Sequence, residues 1–171
     1  MAQVFVSKQA QTKASPSTVY ALAKRSRGYP DWSIIGSFEL VRPGEGEEDG
    51  VGQLRIFRTG TLKLLEQVVE LVPDRRVSYT LLKGLPFRDY RADIDITPTE
   101  GGGAQIHWHS SFYPKMPGTG WLCLALMNYV FTRMTPQLAR AAELAESRDG
   151  KVSGRGSQLR AIGNAPKQPA N

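Results

Sequence analysis

Residues 90–97 read YRADIDIT, a stretch in which apolar and polar side chains alternate at every position. Alternation with a period of two is the pattern of a β-strand that has one face buried and the other face in water. Charged side chains at every second position belong in water, so the apolar set identifies the inner face. The predicted inner residues of this strand are Tyr90, Ala92, Ile94 and Ile96.

The hairpin loop at 60–61, Gly-Thr, predicts the register of the strands on either side of it. A two-residue loop fixes which residues oppose each other, and therefore which side chains share a face. This loop sets Arg55 opposite Glu66 and Phe57 opposite Leu64. The register predicts that Arg55 and Glu66 meet on an otherwise apolar face.

Two later turns, Pro-Asp at 73–74 and Gly-Leu at 84–85, continue the same inner face. Turn residues recur about every 8 to 12 positions in this part of the chain, the spacing of an antiparallel meander. The predicted opposing pairs are Val68 with Tyr79, Glu66 with Leu81, Glu70 with Val77, Tyr79 with Tyr90 and Val77 with Ala92.

The last predicted strand, QIHWHSSF at 105–112, directs Trp108 and Phe112 inward and both histidines of the chain, His107 and His109, outward. Histidines two apart on a strand project to the same side, which is the geometry of a paired metal ligand. No cysteine or carboxylate stands at a convincing ligand spacing in the sequence. We therefore interpret the two histidines as surface imidazoles and predict neither a metal nor a cofactor.

From residue 118 to about 147 the apolar period changes from 2 to 3.6, which predicts one long helix. Only this helix has an apolar stripe large enough to cover the sheet. Its predicted stripe consists of Leu124, Asn128 or Met127, Phe131, Thr135, Leu138, Ala142 and Ala145. At the other end of the chain, a strand at 2–12 precedes two short helices, the first capped by Ser15 before Pro16.

The bulk composition fits one domain followed by a tail. Domains commonly have about 100 to 150 residues, and the chain has 171. We predict a folded domain at 1–147 and a disordered basic tail at 148–171, which is rich in Gly, Pro and Ser. The tail holds five cations and one anion, so it carries +4 of the formal net charge of +6. Nucleic acid or an anionic membrane is a possible partner for this tail, and a purely solubilising role is the alternative.

The chain has no predicted export or membrane-spanning segment. Its first ten residues lack the basic start and apolar core of a signal peptide. The longest apolar run, 121–127, is much shorter than the roughly 20 residues that span a bilayer. The single cysteine, Cys123, cannot form an internal disulfide. We therefore expect a cytoplasmic protein.

The pattern resembles the START and Bet v 1-like helix-grip superfamily, in particular the bacterial polyketide cyclase/dehydrase-like branch known as SRPBCC. The resemblance covers about 2–147. The resemblance implies an α+β helix-grip fold: a curved antiparallel sheet of about seven strands wrapped around a long C-terminal helix, with two short helices after the first strand. The matching segments are ASPSTVY at 14–20, YPDW at 29–32, GVG at 50–52, EQV at 66–68 and LVPDRR at 71–76.

The resemblance further implies a deep cavity between sheet and helix, which family members use for lipids, polyketides, sterols or hormones. Arg55 and Glu66 either orient the polar end of such a ligand or form a structural ion pair. The large aromatic side chains suit a ligand pocket and an ordinary core equally well. The predicted ligand-binding residues are Arg55, Phe57, Glu66, Tyr79, Tyr90, Trp108, Phe112, Leu124, Asn128 and Phe131.

Three functions remain open from the sequence. The first is binding of a small hydrophobic or amphipathic ligand. The second is a polyketide cyclase/aromatase or a dehydratase, in which Arg55, Glu66 or a tyrosine assists proton transfer. The third is a regulatory or interaction module, such as a component of a toxin and antitoxin pair, that acts through the tail.

Overall fold

The computed structural model describes residues 2–162 of the chain, with side chains for residues 2–149. It contains seven strands, two short helices and a long C-terminal helix. The strands are β1 (Val4–Thr12), β2 (Ser37–Arg42), β3 (Leu54–Thr59), β4 (Leu62–Val72), β5 (Arg76–Lys83), β6 (Phe87–Pro98) and β7 (Ala104–Pro114). The helices are α1 (Pro16–Lys24), α2 (Tyr29–Trp32), which follows a short 3₁₀ turn at Ser26–Gly28, and α3 (Gly120–Ile162).

All strands belong to one antiparallel sheet in the order β1-β7-β6-β5-β4-β3-β2. Along the whole of β7, buried residues alternate with half-buried ones. The buried residues, among them Trp108 and Phe112, lie under α3, and His107 and His109 lie on the opposite face. The predicted helix-grip fold, with one covered and one open face of the sheet, is confirmed.

The first hairpin has the predicted register, with Arg55 opposite Glu66 and Phe57 opposite Leu64. The loop is tight because Gly60 adopts a positive φ of 58°, a conformation that costs glycine little. This register places the charged pair on the covered face of the sheet.

The second and third hairpins differ from the predicted register because their loops are longer than two residues. After the turn at 73–75, Glu70 opposes Ser78 rather than Val77, and a bulge at residue 69 restores the predicted pairing of Val68 with Tyr79. The third loop spans 84–86, which shifts the register by one residue, and an irregularity between Arg88 and Arg91 on β6 adds a second, so Tyr79 opposes Ala92 rather than Tyr90. A shift of two keeps each side chain on its face, and the inner face is therefore as predicted.

Helix α3 contacts mainly β1, β7 and α1. Its buried stripe includes Cys123, Met127 and Phe131 and continues to Ala142. The prediction that Leu124 lies on this stripe is wrong, since its surface is 37% exposed. The helix begins next to β1, where Gly120 lies close to Val4, and it buries Cys123 and Met127 instead of Leu124.

The helix is longer than predicted. It continues past residue 147 to Ile162, through the first part of the segment predicted to be disordered, where Lys, Arg, Gln and Leu are compatible with a helix. The rest of the predicted tail, 163–171, lies outside the described residues. Within the part of the chain that the structure describes, no helix combines the length and the hydropathy needed to cross a membrane.

Phe131 tests the packing between helix and sheet. Its ring is buried and lies 5.5 Å from the Trp108 ring, between centroids. We expect Phe131→Ala to lower the free energy of unfolding by about 3–5 kcal/mol, because it opens a void in a packed core. Urea denaturation followed by circular dichroism measures the change.

Tyr129→Ala is the matched control, since Tyr129 lies two residues away and is 60% exposed. It should change the stability by no more than about 0.5 kcal/mol. Equal losses for the two variants would contradict the observed orientation of α3.

Candidate functional site

A cavity of about 80 Å³ lies between α3 and the central strands. It arises because α3 packs toward β1 and β7 and leaves a gap over β3, β4 and β5. Partly exposed side chains, Leu62, Leu85 and Leu126, mark the side of the cavity nearest to solvent. Apolar side chains form most of the lining, and the charged group in it is the Glu66 carboxylate.

Glu66 is held by a buried ion pair. Arg55 is fully buried and donates from Nε and Nη2 to Glu66 Oε2, over 3.1 and 3.0 Å. Charge-assisted hydrogen bonds of this kind fix geometry as well as charge. The pair offsets the cost of burying two charges, which would be several kcal/mol for each ion alone.

The guanidinium is also anchored on the side away from Glu66. Arg55 Nη1 donates to Ser26 Oγ over 2.7 Å, and Ser26 Oγ donates to Gln53 Oε1 over 2.6 Å. Gln53 Nε2 in turn donates to Asp49 Oδ1 over 2.9 Å, in the acidic loop between β2 and β3. This network of buried hydrogen bonds connects the cavity to the loop and holds Arg55 in one orientation.

Three aromatic rings surround the same guanidinium. The Cζ atom of Arg55 lies 4.9 Å from the ring centroid of Phe57, 5.2 Å from that of Tyr79 and 5.4 Å from that of Tyr29. Aromatic faces attract a cation, and more strongly where water is absent. The rings thus stabilise the charge of Arg55 and form an apolar wall next to Glu66.

Burial alters the acidity of the polar groups in the cavity. Removal from water raises the pKa of the Glu66 carboxyl, and the guanidinium of Arg55 offsets part of this effect. Burial also raises the pKa of Tyr79 and Tyr90 well above their usual range, and that of Tyr29 to about 12. These tyrosines are neutral hydroxyl groups at physiological pH. Trp108 donates its indole N–H to the Tyr79 hydroxyl over 3.1 Å.

Six of the predicted ligand-binding residues line the cavity: Phe57, Glu66, Tyr79, Tyr90, Trp108 and Phe131. Arg55 lies behind Glu66, and Phe112 is buried in a stack with Phe87, 4.0 Å apart between ring centroids. Leu124 and Asn128 on α3 do not line the cavity. Of the two alternatives predicted for one position of the helix stripe, Asn128 and Met127, it is Met127 that lines the cavity. We therefore do not expect Leu124 or Asn128 to contact a ligand.

The sequence interpretation missed lining residues from two regions. Tyr29 and Ile35 come from α2 and the segment after it, and no periodic pattern relates them to the sheet. Val130 and Met134 lie on the side of α3 that lines the cavity, which an apolar stripe alone does not distinguish from the side that packs on β1. The pairing of Tyr29 with Phe57, stacked 5.0 Å apart, shows how α2 closes the cavity.

The outer face of the sheet carries a second polar cluster. His107 and His109 lie side by side on β7, with ring centroids 4.7 Å apart, and Asp95 lies opposite His107 on β6. One ligand atom from each of these three residues lies within 4.8 Å of the others. Partial burial and the charge of His109 lower the pKa of His107. Ligand spacing along the sequence did not indicate a carboxylate partner for the histidines, because strand pairing brings Asp95 to them from 12 residues away.

The curved sheet, the covering helix and the cavity between them define a helix-grip protein of the START/Bet v 1-like class. The model of the family "Polyketide cyclase / dehydrase and lipid transport" matches residues 3–146. The chain therefore belongs to this family.

Comparison with solved structures identifies the same fold in proteins of low sequence identity. A START superfamily protein from Mycobacterium smegmatis has a TM-score of 0.71 and 15% identity, over 82% of this chain and 98% of that one. The ZhuI aromatase/cyclase from Streptomyces sp. R1128 has a TM-score of 0.68 and 13% identity, over 83% and 94%. Norcoclaurine synthase from Thalictrum flavum, in complex with dopamine and hydroxybenzaldehyde, has a TM-score of 0.64 and 12% identity, over 82% and 86%. A search among curated proteins gave no match.

The stability of an Arg55→Met variant should depend on pH. Without the guanidinium, Glu66 is a buried, unpaired carboxylate, and we expect a loss of about 3–5 kcal/mol at neutral pH. The folded-state pKa of Glu66 lies above its unfolded value, and it should rise further in the variant because the guanidinium that lowers it is gone. The folded chain therefore holds the proton to higher pH, so the loss should shrink as the pH falls toward 5. Urea unfolding at pH 5 and pH 8 measures it.

The double variant Arg55→Met/Glu66→Leu is the control. It removes both charges, so it should be more stable than Arg55→Met alone and should show less pH dependence. If Arg55→Met loses the same free energy of unfolding at both pH values, and the double variant loses as much, a buried charge is excluded as the cause of the loss.

Proposed function

We propose that the protein binds a small amphipathic molecule in the cavity between α3 and the sheet. The apolar body of the ligand packs against Tyr79, Trp108 and Phe131. Its polar end donates a hydrogen bond to Glu66, within reach of the hydroxyl groups of the cavity tyrosines. The family match and the cavity support this function, and the ligand-binding role of each residue is part of the proposal.

The observation that carries the proposal is the second oxygen of Glu66. Both hydrogen bonds from Arg55 end on Oε2, and no donor among the described residues bonds to Oε1. A carboxylate has about four acceptor positions, and Glu66 contributes to the cavity wall. Oε1 is therefore an acceptor for a hydroxyl or ammonium group of a ligand. A ligand carboxylate is disfavoured there because like charges repel at close range.

The size of the cavity limits the ligand or requires side chains to move. Pockets for drug-sized ligands commonly have about 300–1,000 Å³, and this cavity has about 80 Å³. Met127 and Met134 line it, and methionine side chains repack readily. We infer that a single-ring phenol or a short-chain alcohol enters with local repacking of α3.

The structural comparisons support a small aromatic ligand. Norcoclaurine synthase binds dopamine and hydroxybenzaldehyde in the structure compared above, and both molecules combine a ring with a hydroxyl group. A phenol has an apolar body for the aromatic wall and one strong donor for Glu66.

Matched ligands test the polar end of the site. We expect 4-propylphenol to bind at least tenfold more tightly than 4-propylbenzoate at pH 7.5, because only the phenol donates to Glu66. Isothermal titration calorimetry measures both. Glu66→Gln should remove most of this preference, since the amide no longer repels the benzoate.

Tyr129→Ala again serves as the control, since Tyr129 does not line the cavity. This variant should prefer 4-propylphenol over 4-propylbenzoate as strongly as the original protein does. Absence of saturable binding by a folded protein, or a preference for the benzoate, would exclude the proposed orientation. Native mass spectrometry of the protein from its own host identifies a natural ligand directly.

A second candidate function is catalysis of ring closure, as in a cyclase/aromatase or a dehydratase. The observation that favours it is a carboxylate of raised pKa next to two neutral tyrosine hydroxyl groups in a site largely shielded from water. Glu66 would remove a proton α to a carbonyl, and a tyrosine would donate a hydrogen bond to the enolate oxygen. The likeness to an aromatase/cyclase supports this chemistry.

A poly-β-ketone thioester assayed by mass spectrometry and absorbance tests the enzyme. Glu66→Gln should lower kcat by about 10²-fold or more, because a positioned base contributes this much. Tyr129→Phe should leave kcat unchanged. Equal turnover by the Glu66→Gln variant and the original protein would exclude Glu66 as the base.

Two earlier expectations stay predictions. The regulatory or interaction role depends on the basic tail, whose last residues, 163–171, lie outside the described part of the chain. Deletion of 148–171 with ligand binding intact separates this role from the cavity. The expected cytoplasmic location is likewise a prediction.

A further inference from the structure

We propose that Asp95, His107 and His109 on the outer face of the sheet bind one divalent transition-metal ion, with Zn²⁺ as the reference metal. This site lies on the face of the sheet opposite the cavity, and it is independent of the proposed ligand. The three residues offer two imidazole nitrogens and one carboxylate oxygen, a donor set that suits zinc.

Strand geometry brings the three ligands together without help from loops. His107 and His109 are two apart on β7 and project to the same side, and Asp95 is the direct partner of His107 across β6. Their ligand atoms lie within 4.8 Å of one another. Tetrahedral zinc at about 2.0–2.2 Å from each ligand separates the ligands by about 3.3 Å. Side-chain rotations that shorten the longest separation by about 1.5 Å are therefore enough to close the site.

Contacts around the cluster already hold two of the ligands. Asp95 Oδ2 lies 2.8 Å from His109 Nε2, so a metal would replace the contact between two atoms that already face each other. Arg76 Nε donates to Asp95 Oδ1 over 2.6 Å and leaves Oδ2 for the metal. Outer contacts of this kind orient metal ligands.

The two rings have further partners of the kind found around bound metals. Ser7 Oγ lies 2.7 Å from Nε2 of His107, and Asp93 Oδ2 lies 4.0 Å from Nδ1 of His109. A distance of 4.0 Å is too long for a hydrogen bond, so Asp93 acts on His109 through its charge. Because Nε2 of His109 already faces Asp95 Oδ2, it is the nitrogen that we assign to the metal.

The surroundings provide access and an open coordination position. All three ligands are half-buried, so an ion can reach them from solvent. Asp95 and His107 also border a groove of about 540 Å³ on this face. Three protein ligands beside open space leave a fourth position for water or a small molecule, the arrangement of a catalytic rather than a purely structural zinc site.

Zinc titration of the full-length chain, purified without a histidine tag and treated with chelator, tests the proposal. We expect one Zn²⁺ per chain by competition with a chromophoric chelator. The chain has two histidines, so ¹⁵N NMR resolves each imidazole, and the ring signals of both should shift until one equivalent is added. Thermal denaturation should show a Tm higher by about 5 °C or more at saturating zinc.

Substitutions identify the ligands. His107→Ala and His109→Ala should each weaken zinc binding by more than about 100-fold, and Asp95→Asn by at least about tenfold. Gln105→Ala is the matched control, since Gln105 is a half-buried outer residue of the same strand that donates a side-chain hydrogen bond to Gln9. This variant should bind zinc as tightly as the original protein. Circular dichroism verifies that each variant is folded.

Two results would overturn the proposal. One is failure of the folded original protein to bind zinc at about 100 μM, roughly tenfold above the dissociation constants of the weakest sensor-type calcium sites. The other is binding that survives in His107→Ala/His109→Ala, which would assign the zinc to other residues. Both results leave the cavity and its ligand unaffected, because Glu66→Gln tests that site separately.

Discussion

The packing of α3 onto one face of the sheet is the constraint on which the rest of the structure depends. An antiparallel sheet can leave one face in water only if the other is covered, and α3 alone has a long enough apolar stripe. The Phe131 ring against Trp108 joins the two layers at their centre. Because α3 lies toward β1 and β7, it leaves a space over β3 to β5, and the short helix α2 closes part of this space through Tyr29. The position of the helix thus creates both the core and the cavity.

The buried pair of Arg55 and Glu66 has a structural and a functional interpretation, and the geometry favours a combination of them. Structural anchoring accounts for Arg55, which is enclosed by rings and hydrogen bonded to Ser26 and Glu66. It does not account for Glu66, which uses one oxygen for the pair and contributes to the cavity wall. A purely structural pair is often replaceable by apolar residues without loss of stability. A carboxylate with one unused oxygen in an apolar cavity is more easily explained by a ligand.

The sequence predicted the fold and the inner face well because the period of two survives errors in register. The longer loop after β5 and the irregularity between Arg88 and Arg91 together shift the register by two residues, which leaves Tyr79 and Tyr90 on the inner face. The bulge at residue 69 had the same effect between β4 and β5. The side of α3 that faces the cavity was harder to predict. Cys123 is buried and Leu124 is not. Which of the two is buried depends on where the helix crosses the sheet, and the periodicity of the helix sequence gives no information about that position.

Strand β7 shows how one sequence pattern supplies two chemistries. Its even-numbered residues, such as Trp108, are buried on the covered face, and its odd-numbered residues, such as His107 and His109, are half-buried on the outer face. The sheet itself separates the two sets, so neither constrains the other directly. The inner set was visible in the sequence because hydrophobicity marks it at every second position. The outer set became meaningful only with Asp95, since a metal site depends on cross-strand neighbours. Alternation predicts which face a residue occupies, whereas strand pairing decides what it can do there.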